Sequence, residues 1–455
     1  MNRDLSSCRY GSPGDAPAPT ETVLIRSAES PNWNRLAWGA IAVGALIRLL
    51  WAFVLHPPYD FVFSDMQGYV SRAQGLATGA PLERYFAFYP PGTHILLAGP
   101  LLLDEGVVGL RAAAALWWAL SSASVVFAWR LALCLLTPRA AAVTAALCAA
   151  YPLFFFYAGF FSSETPAMAL LLAGLWLGYR SRHLPGRAAV VSAIGSGMLA
   201  GAAVAVRPQF LLNVVVLGVA MRGGARLGRL QLPVALAAAA ILVLIPVVVH
   251  NSAAANKLTG ISEYPGLIFY QAHCDIHLVT AGTPERGVFA FGSPVAFERN
   301  RGHDETFPDR QVWDQGFFLD RGLDCIREDG FSHLRIVGRN LLDAGATSTP
   351  FPLGDPPAVK TIARATNLVY SLGLVVIVVA TIVLLRRRRD RPTEKSNQLG
   401  YGERQLLLHL ACLLPVVLVF LSEPRYRIPY DVFGLMLLAA LVTAGLGSLR
   451  RRAPA

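Results

Sequence analysis

Long apolar stretches without charged residues constrain this chain more than any other feature of its sequence. Residues 369–385 and 406–421 are two such stretches, and each is near the roughly 20 residues needed to cross a bilayer. Of the 455 residues, 15% are charged, whereas about a quarter would be charged in a soluble domain. Backbone within lipid must satisfy its own hydrogen bonds, so each stretch is predicted to be a helix. The predicted fold class is an all-α polytopic membrane protein.

The apolar stretches predict about ten membrane-spanning helices. Their expected bounds are residues 37–55, 107–136, 140–157, 165–179, 188–206, 209–221, 232–250, 367–385, 405–421 and 429–449. The segment at 209–221 is short, and a re-entrant segment is the alternative there.

The loops between these helices differ in their arginine content. Loops rich in arginine, such as residues 386–389, alternate with loops that contain little, and the positive-inside rule places the arginine-rich loops in the cytoplasm. This assignment is consistent through every crossing and puts both termini inside, in the inner or plasma membrane. Residues 1–36 are polar and rich in proline and serine, which predicts a disordered cytoplasmic tail. Residues 450–455 form a second cytoplasmic tail.

Two long segments are then predicted to lie outside. Residues 57–106 form a first outer loop within a transmembrane core at 37–250, and residues 251–366 form a small outer subdomain. Residues 367–449 hold the C-terminal transmembrane helices. The outer subdomain contains Cys274 and Cys325, which could form a disulfide on the oxidising side or remain two buried thiols. The sequence does not decide between these, because a disulfide depends on the Cα separation.

The net charge of +11 does not indicate a nucleic-acid partner. Nucleic-acid binding requires basic residues gathered on one accessible face, with aromatic side chains for single strands. Here the arginines lie in short loops between apolar stretches, where they orient the chain in the membrane.

The first outer loop contains the most informative acidic residue, Asp65. Met66, Tyr69, Ala73 and Leu76 follow it at helical spacing, which predicts an amphipathic helix at the membrane surface. Asp65 would then be an ordinary carboxylate of the first helical turn. The alternative is a catalytic carboxylate that takes a proton from an acceptor hydroxyl.

Further along this loop, Glu83 is a second candidate catalytic carboxylate, although a solvated loop residue has the same sequence pattern. Its neighbour Arg84 is a candidate contact for a phosphate, since guanidinium groups bind phosphate well. Residues 89–92 (YPPG) predict a rigid turn before the chain enters the membrane again, with Tyr89 as a candidate substrate contact.

Other charged residues fall at helix ends on the same outer side. Glu164 follows two serines, a pattern that also describes an ordinary helix start. Arg207 lies between two predicted helices, and Arg425 and Tyr426 precede the last one. Arginines on this side run against the positive-inside rule, so each needs a partner. Asp65, Glu164, Glu423 and a lipid phosphate are the candidates.

The order of these motifs resembles that of the GT-C glycosyltransferases. Asp65, the YPPG turn, Glu164, Arg207 and Arg425 follow one another as in bacterial relatives of the dolichyl-phosphate-mannose protein mannosyltransferases and of the lipid A aminoarabinose transferase. The resemblance covers most of residues 37–449, and each motif is short.

This resemblance implies transfer of a sugar from a polyprenyl-phosphate donor to an acceptor outside the membrane. Asp65 would be the general base, and Arg84 would contact the donor phosphate. Glu83 and Glu164 would be secondary candidates, and Tyr89, Arg207, Arg425 and Tyr426 would bind substrate. Some relatives use a divalent metal, but no ligand cluster with metal-like spacing is present in this sequence.

Two other functions compete with the transferase. A transporter or flippase for lipid-linked saccharides is typically built from internal repeats and has charged residues within its helices, and the sequence shows no convincing repeat. A non-enzymatic membrane scaffold would account for the helices but not for the acidic first loop and the outer arginines.

Overall fold

The structure is a computed structural model, and it describes residues 30–222, 230–274, 276–280, 294–298, 304–306, 310–345, 350–354, 356–390, 394–420 and 423–450. Of the predicted N-terminal tail, residues 1–29 lie outside this description, whereas the first helix begins at Ser30. Residues 451–455 of the second predicted tail also lie outside it.

Helices make up most of the described chain. From the first helix to the middle of the core they are α1 Ser30–Leu50, α2 Ser64–Ala77, α3 Gly92–Leu101, α4 Val107–Leu135, α5 Pro138–Ala150, α6 Pro152–Phe156, α7 Glu164–Ser181, α8 Gly186–Val206 and α9 Leu211–Met221. The remaining helices are α10 Gln231–Ala255, α11 Pro265–His273, α12 Gln315–Asp329, α13 His333–Gly345, α14 Pro357–Asp390, α15 Glu394–Ala411, α16 Leu413–Val419 and α17 Pro424–Arg450.

Each of the ten predicted spans coincides with helix, but ten crossings are not confirmed. Within the described residues, seven helical segments are long and apolar enough to cross a membrane: α1, α4, α8, α10, α14, α15 with α16, and α17. The pair α5 and α6 would make an eighth span, bent by 54°. Helix α9 is a shorter apolar helix that follows a turn at Pro208–Phe210. The chain is a multi-pass membrane protein, as predicted.

The bend between α5 and α6 has an identifiable cause. Pro152 has no backbone N–H, so the Cys148 carbonyl four residues earlier loses its helical partner. Arg48 of α1, which is fully buried, supplies replacements: its guanidinium donates to Cys148 O and Ala149 O, each at 3.1 Å. It also donates to Ser121 Oγ of α4 at 3.0 Å. One buried arginine therefore joins three helices at the bend.

The outer subdomain contains a small sheet that the helical prediction did not include. Strands β1 (Ile276–Thr280), β2 (Pro294–Glu298) and β3 (Asp304–Thr306) pair antiparallel in that order, with Leu278 opposite Ala296.

Helices α11, α12 and α13 surround the start of this segment. The disulfide left open by the sequence is formed, and Cys274 and Cys325 join α11 to α12 with a Cα separation of 5.4 Å. Helix α13 packs on α11, where Asn340 Nδ2 donates to Ala272 O at 3.0 Å. Helix α13 also contacts α14, α16 and α17, so it joins this segment to the membrane helices.

Candidate active site

Asp65 lies at the start of α2, directly after a strained backbone position. Ser64 has φ = +51°, a left-handed conformation that is uncommon for a residue other than glycine. Such a conformation costs about 1–3 kcal/mol and persists only where the surroundings enforce it. Here it turns the chain from the extended Phe63 into α2 and brings the Asp65 carboxylate to the start of α17.

Two side chains hold the Asp65 carboxylate from different directions. Arg425 Nη1 donates to Oδ2 at 2.7 Å, and the Tyr89 hydroxyl donates to Oδ1 at 3.0 Å. Asp65 is 23% exposed and Arg425 15%, so the pair is partly withdrawn from water but still accessible. A charge-assisted pair in such a position is stronger than one on an open surface.

Tyr89 is suited to this role because it stays protonated. Burial, and then the negative charge of Asp65, raise the pKa of the Tyr89 hydroxyl well above its ordinary value. The same two causes raise the pKa of Tyr69, which lies one turn along α2 from Asp65. Both hydroxyls therefore remain neutral donors at physiological pH, and Tyr89 orients the carboxylate.

Arg425 is held by more than Asp65. Its Nε lies 2.7 Å from Glu423 Oε2, and its guanidinium stacks near the rings of Phe351 at 5.0 Å and Tyr426 at 5.3 Å. The guanidinium therefore bridges two carboxylates between two aromatic rings, and it could turn toward a phosphate while remaining stacked.

The opposite wall of the site is the start of α7 and the end of α8. Arg207 donates through Nε to Ser163 Oγ at 2.9 Å and through Nη2 to Glu164 Oε1. Glu164 is only 4% exposed, so this ion pair is buried. Arg207 Nη1 is also buried, and it has no hydrogen-bond partner among the residues that the structure describes. A buried guanidinium nitrogen without an acceptor is costly, which makes it a candidate contact for an anionic group.

A small cleft lies between these two walls. The residues that line it are Asp65, Met66, Tyr69, Ser162, Ser163, Glu164, Phe351, Pro352 and Arg425. Arg207 lies behind this lining, against Ser163 and Glu164. The cleft thus combines one accessible carboxylate with one accessible guanidinium and a second cation close behind.

The YPPG turn positions the two walls relative to each other. A Cβ atom added at Gly92 would lie 2.7 Å from Val206 N and 2.8 Å from Ala205 C, so the position accepts only glycine without movement. This contact places the start of α3 against the end of α8, next to Arg207. Tyr89, three residues earlier, reaches Asp65 from the same turn. The turn therefore connects the Asp65 wall to the Arg207 wall.

The structure does not bring Glu83 and Arg84 to this cleft. Glu83 is exposed, and Arg84 turns to Glu263, with Nε donating to Oε2 at 2.9 Å. Arg84 also lies over the Trp313 ring at 5.2 Å. Glu263 is 1% exposed and binds Lys257 as well, at 2.7 Å. This cluster fastens the first outer loop to the outer subdomain.

Sequence reasoning missed Glu263, Phe351 and the role of Tyr69. Glu263 lies 179 residues from Arg84, and no local pattern distinguishes it from a solvated loop residue. Phe351 lies 74 residues before Arg425 in a segment with no recognisable motif, so only the fold could reveal it. The helical spacing predicts Tyr69 on one face of α2, but it does not predict the place of Tyr69 in the cleft.

The acidic residues around the cleft do not form a fitting metal site. Asp65, Glu164 and Glu423 are each paired with an arginine, whose positive charge would oppose a cation. Within the described part of the chain, no group of three or more His, Cys, Asp or Glu residues could hold a metal ion.

Solved structures of an archaeal oligosaccharyltransferase share this architecture. The chain matches the oligosaccharyltransferase AglB from Archaeoglobus fulgidus, in complex with an inhibitory peptide and a dolichol-phosphate, with a TM-score of 0.52 and 13% identity over 93% of this chain. For the apo form of the Archaeoglobus fulgidus oligosaccharyltransferase the TM-score is 0.50 and the identity 14%. The chain covers 52% of the length of each. No family model and no curated protein sequence matches the chain.

These neighbours establish the class of fold. The chain has the GT-C fold, the one expected from the order of its motifs, and the predicted helical membrane class is confirmed.

Proposed function

We propose that this protein is a membrane glycosyltransferase that moves a sugar from a polyprenyl-phosphate donor to an acceptor on the outer face of the membrane. The observation that carries the proposal is the meeting of Asp65 with Arg425 in one cleft, although 360 residues separate them in the chain. A base and a phosphate-binding cation are the two groups that such a transfer requires.

The GT-C fold supports the same function. The AglB structure with a dolichol-phosphate shows that a protein of this fold binds a lipid-linked phosphate. In the present chain, the unpartnered Arg207 Nη1 and the stacked Arg425 guanidinium are the groups suited to a phosphate. The adjoining membrane helices would accommodate the lipid chain of the donor.

In the proposed reaction the acceptor oxygen attacks the anomeric carbon of the sugar. The bond between that carbon and the phosphate oxygen breaks, and polyprenyl phosphate leaves with the bonding electrons. Asp65, which Tyr89 orients, takes the proton of the acceptor. Arg425 and Arg207 stabilise the negative charge that grows on the phosphate. Glu164 holds Arg207 in place, and Tyr426 stacks on both arginines.

The orientation in the membrane is part of the proposal. The cleft lies at the outer ends of α7 and α17 if the arginine-rich loops face the cytoplasm, as the positive-inside rule requires. Both termini are then cytoplasmic and the protein resides in the cell membrane. The outer subdomain, joined to the first outer loop through Arg84 and Glu263, would contribute to the choice of acceptor.

Incubation of the purified protein with a panel of polyprenyl-phosphate sugars tests this function. Release of free polyprenyl phosphate in the presence of an acceptor is expected for at least one donor. Asp65→Asn should lower the rate by about 10²–10⁴-fold, the usual contribution of a general base. A transporter would move the lipid-linked saccharide across a bilayer without releasing polyprenyl phosphate.

A matched variant controls for general effects of removing a carboxylate. Glu105 is an exposed acid of the same outer loop, so Glu105→Gln should leave the rate unchanged. Glu83→Gln should also retain activity, because Glu83 does not line the cleft. A folded Asp65→Asn protein with the full rate would refute the role of Asp65, and a larger loss in Glu83→Gln would move the base to Glu83.

A further inference from the structure

Helix α13 carries large apolar side chains on a face that no described part of the chain covers. Leu334 is 66% exposed and Leu342 is 73% exposed, and Leu341 is exposed beside them. In the turn before the helix, Phe331 is 93% exposed. Positions 331, 334, 341 and 342 fall on one side of a helix, so these residues form a continuous surface rather than scattered exposures. We call these four residues the apolar face of α13.

The opposite side of α13 is fastened to the rest of the protein, which fixes the direction of the apolar face. His333 Nε2 lies 2.9 Å from His273 Nδ1, and Asn340 Nδ2 donates to Ala272 O at 3.0 Å. Near the end of the helix, Ala344 O accepts from Arg427 Nη1 at 3.2 Å. These contacts run along the whole helix, so it cannot roll to bury the apolar face.

The position of α13 relative to the membrane-spanning helices indicates what covers its apolar face. Helix α13 contacts α14, α16 and α17. Val369 of α14 is 71% exposed, and Leu414 of α16 is also exposed, as expected for side chains that face lipid in a multi-pass membrane protein. Helix α13 therefore lies beside spanning helices whose exposed side chains face lipid.

An exposed basic residue lies on α13 itself, and another lies on the neighbouring helix α14. Arg335 is exposed directly beside Leu334, and Lys360 is exposed in the first turns of α14. Long basic side chains next to an apolar surface can extend to the phosphates of lipid headgroups while their stems remain in the apolar layer. This arrangement fits a bilayer with anionic lipids.

A second copy of this chain fits the same surface less well. Four exposed side chains offer on the order of 500 Å² of apolar area. A stable protein interface needs about 800 Å² on each partner. The exposed positive charges would also repel each other across a symmetric dimer.

We propose that α13 is an interfacial helix that lies in the headgroup layer of the outer leaflet, with its apolar face in the lipid and with Arg335 and Lys360 bound to anionic headgroups. The surface is an interaction site for phospholipid, separate from the cleft at Asp65. It stands whether or not the chain transfers a sugar.

Site-specific photo-cross-linking in lipid nanodiscs tests the proposal. The full chain is prepared with Leu334→p-benzoylphenylalanine or Leu342→p-benzoylphenylalanine and placed in equal amounts of phosphatidylglycerol and phosphatidylcholine. After illumination, mass spectrometry of the protein measures phospholipid adducts. We expect adducts at both positions, with yields several-fold above those of the control Asp343→p-benzoylphenylalanine on the polar side of the same helix. Val369→p-benzoylphenylalanine on α14 is the positive control.

The outcomes separate the alternatives. No lipid adduct at 334 and 342, with an adduct at 369, would overturn the proposal, and so would cross-links to a second protein chain at these positions. Phosphatidylglycerol should be enriched several-fold over phosphatidylcholine among the adducts at 334. Adding Arg335→Gln and Lys360→Gln should abolish that enrichment. Equal labelling of both lipids in the protein that keeps Arg335 and Lys360 would overturn the role assigned to these two residues. Because sugar transfer is not measured, failure here would leave the proposed function untouched.

Discussion

Replacing Arg427 by methionine would remove the cation that faces the fully buried carboxylate of Asp431 on α17. Arg427 Nε donates to Asp431 Oδ1 at 2.8 Å, and Nη2 donates to Asn367 Oδ1 of α14 at 2.7 Å. Its Nη1 donates to Ala344 O of α13 at 3.2 Å. Asp431 in turn accepts from the Tyr151 hydroxyl at 2.7 Å. This network joins four helical regions two residues from Arg425.

The expected loss can be worked from these contacts. Breaking a buried ion pair by removing one partner costs about 3–5 kcal/mol, because the remaining charge is left without compensation. In the double variant Arg427→Met/Asp431→Asn that charge is gone, and the Tyr151 hydroxyl keeps an acceptor. What remains is the loss of the bonds to Asn367, Ala344 and Ser371, together about 2 kcal/mol at about 0.7 kcal/mol each. The double variant should therefore be more stable than the single one by about 1–3 kcal/mol.

The free energy of unfolding of the purified protein in mixed micelles, measured by denaturant titration, checks this order. Arg187→Met is the matched control, because Arg187 is exposed at the start of α8 and a surface change of this kind costs less than about 0.5 kcal/mol. Equal losses in the single and double variants would refute the reasoning, since the cost would then not come from the unpaired carboxylate. A loss as small as that of Arg187→Met would refute it as well.

Three further variants probe other features. Arg48→Leu should lower the free energy of unfolding by about 2–4 kcal/mol in the same titration, because several buried acceptors at the α5–α6 bend lose their donor; an unchanged value would mean that water replaces the guanidinium. Gly92→Ala should lower the free energy of unfolding by about 1–3 kcal/mol, because the new Cβ meets the α8 backbone. Gly99→Ala is the control, because a Cβ at position 99 would lie in open space. Cys274→Ser/Cys325→Ser should open the loop that the disulfide closes over a separation of 51 residues, and so lower the free energy of unfolding by about 4 kcal/mol. Limited proteolysis should then cut α12 faster, and unchanged cleavage would contradict this prediction.

The helices were predictable because their signal is local. A run of apolar residues long enough to span a bilayer must be helical wherever it packs, so all ten predicted segments are helices in the structure. The number of crossings was less predictable. It depends on whether segments such as α9 and the bent pair α5–α6 pass through the membrane, which is a matter of packing rather than composition.

The candidate site was predictable only in part, for the same reason. Local patterns marked Arg207 and Arg425 as unusual for their predicted side of the membrane, and Asp65 and Glu164 as candidate carboxylates. The pairing of Asp65 with Arg425 required the fold, because 360 residues lie between them. Nearness in sequence, in turn, does not ensure nearness in the structure. Arg84 lies near Asp65 in sequence, but a short turn at Arg84–Ala87 directs it to Glu263 instead.

The left-handed backbone of Ser64 determines which amino acids position 64 can accept. Glycine adopts this conformation without strain, and asparagine and aspartate adopt it more readily than other residues do. Valine, isoleucine and threonine are branched at Cβ and fit it poorly. In a saturation library, the first group should therefore survive and the second should be lost, although the Ser64 side chain does not line the cleft. Sequence variation at position 64 would thus report the backbone geometry that presents Asp65.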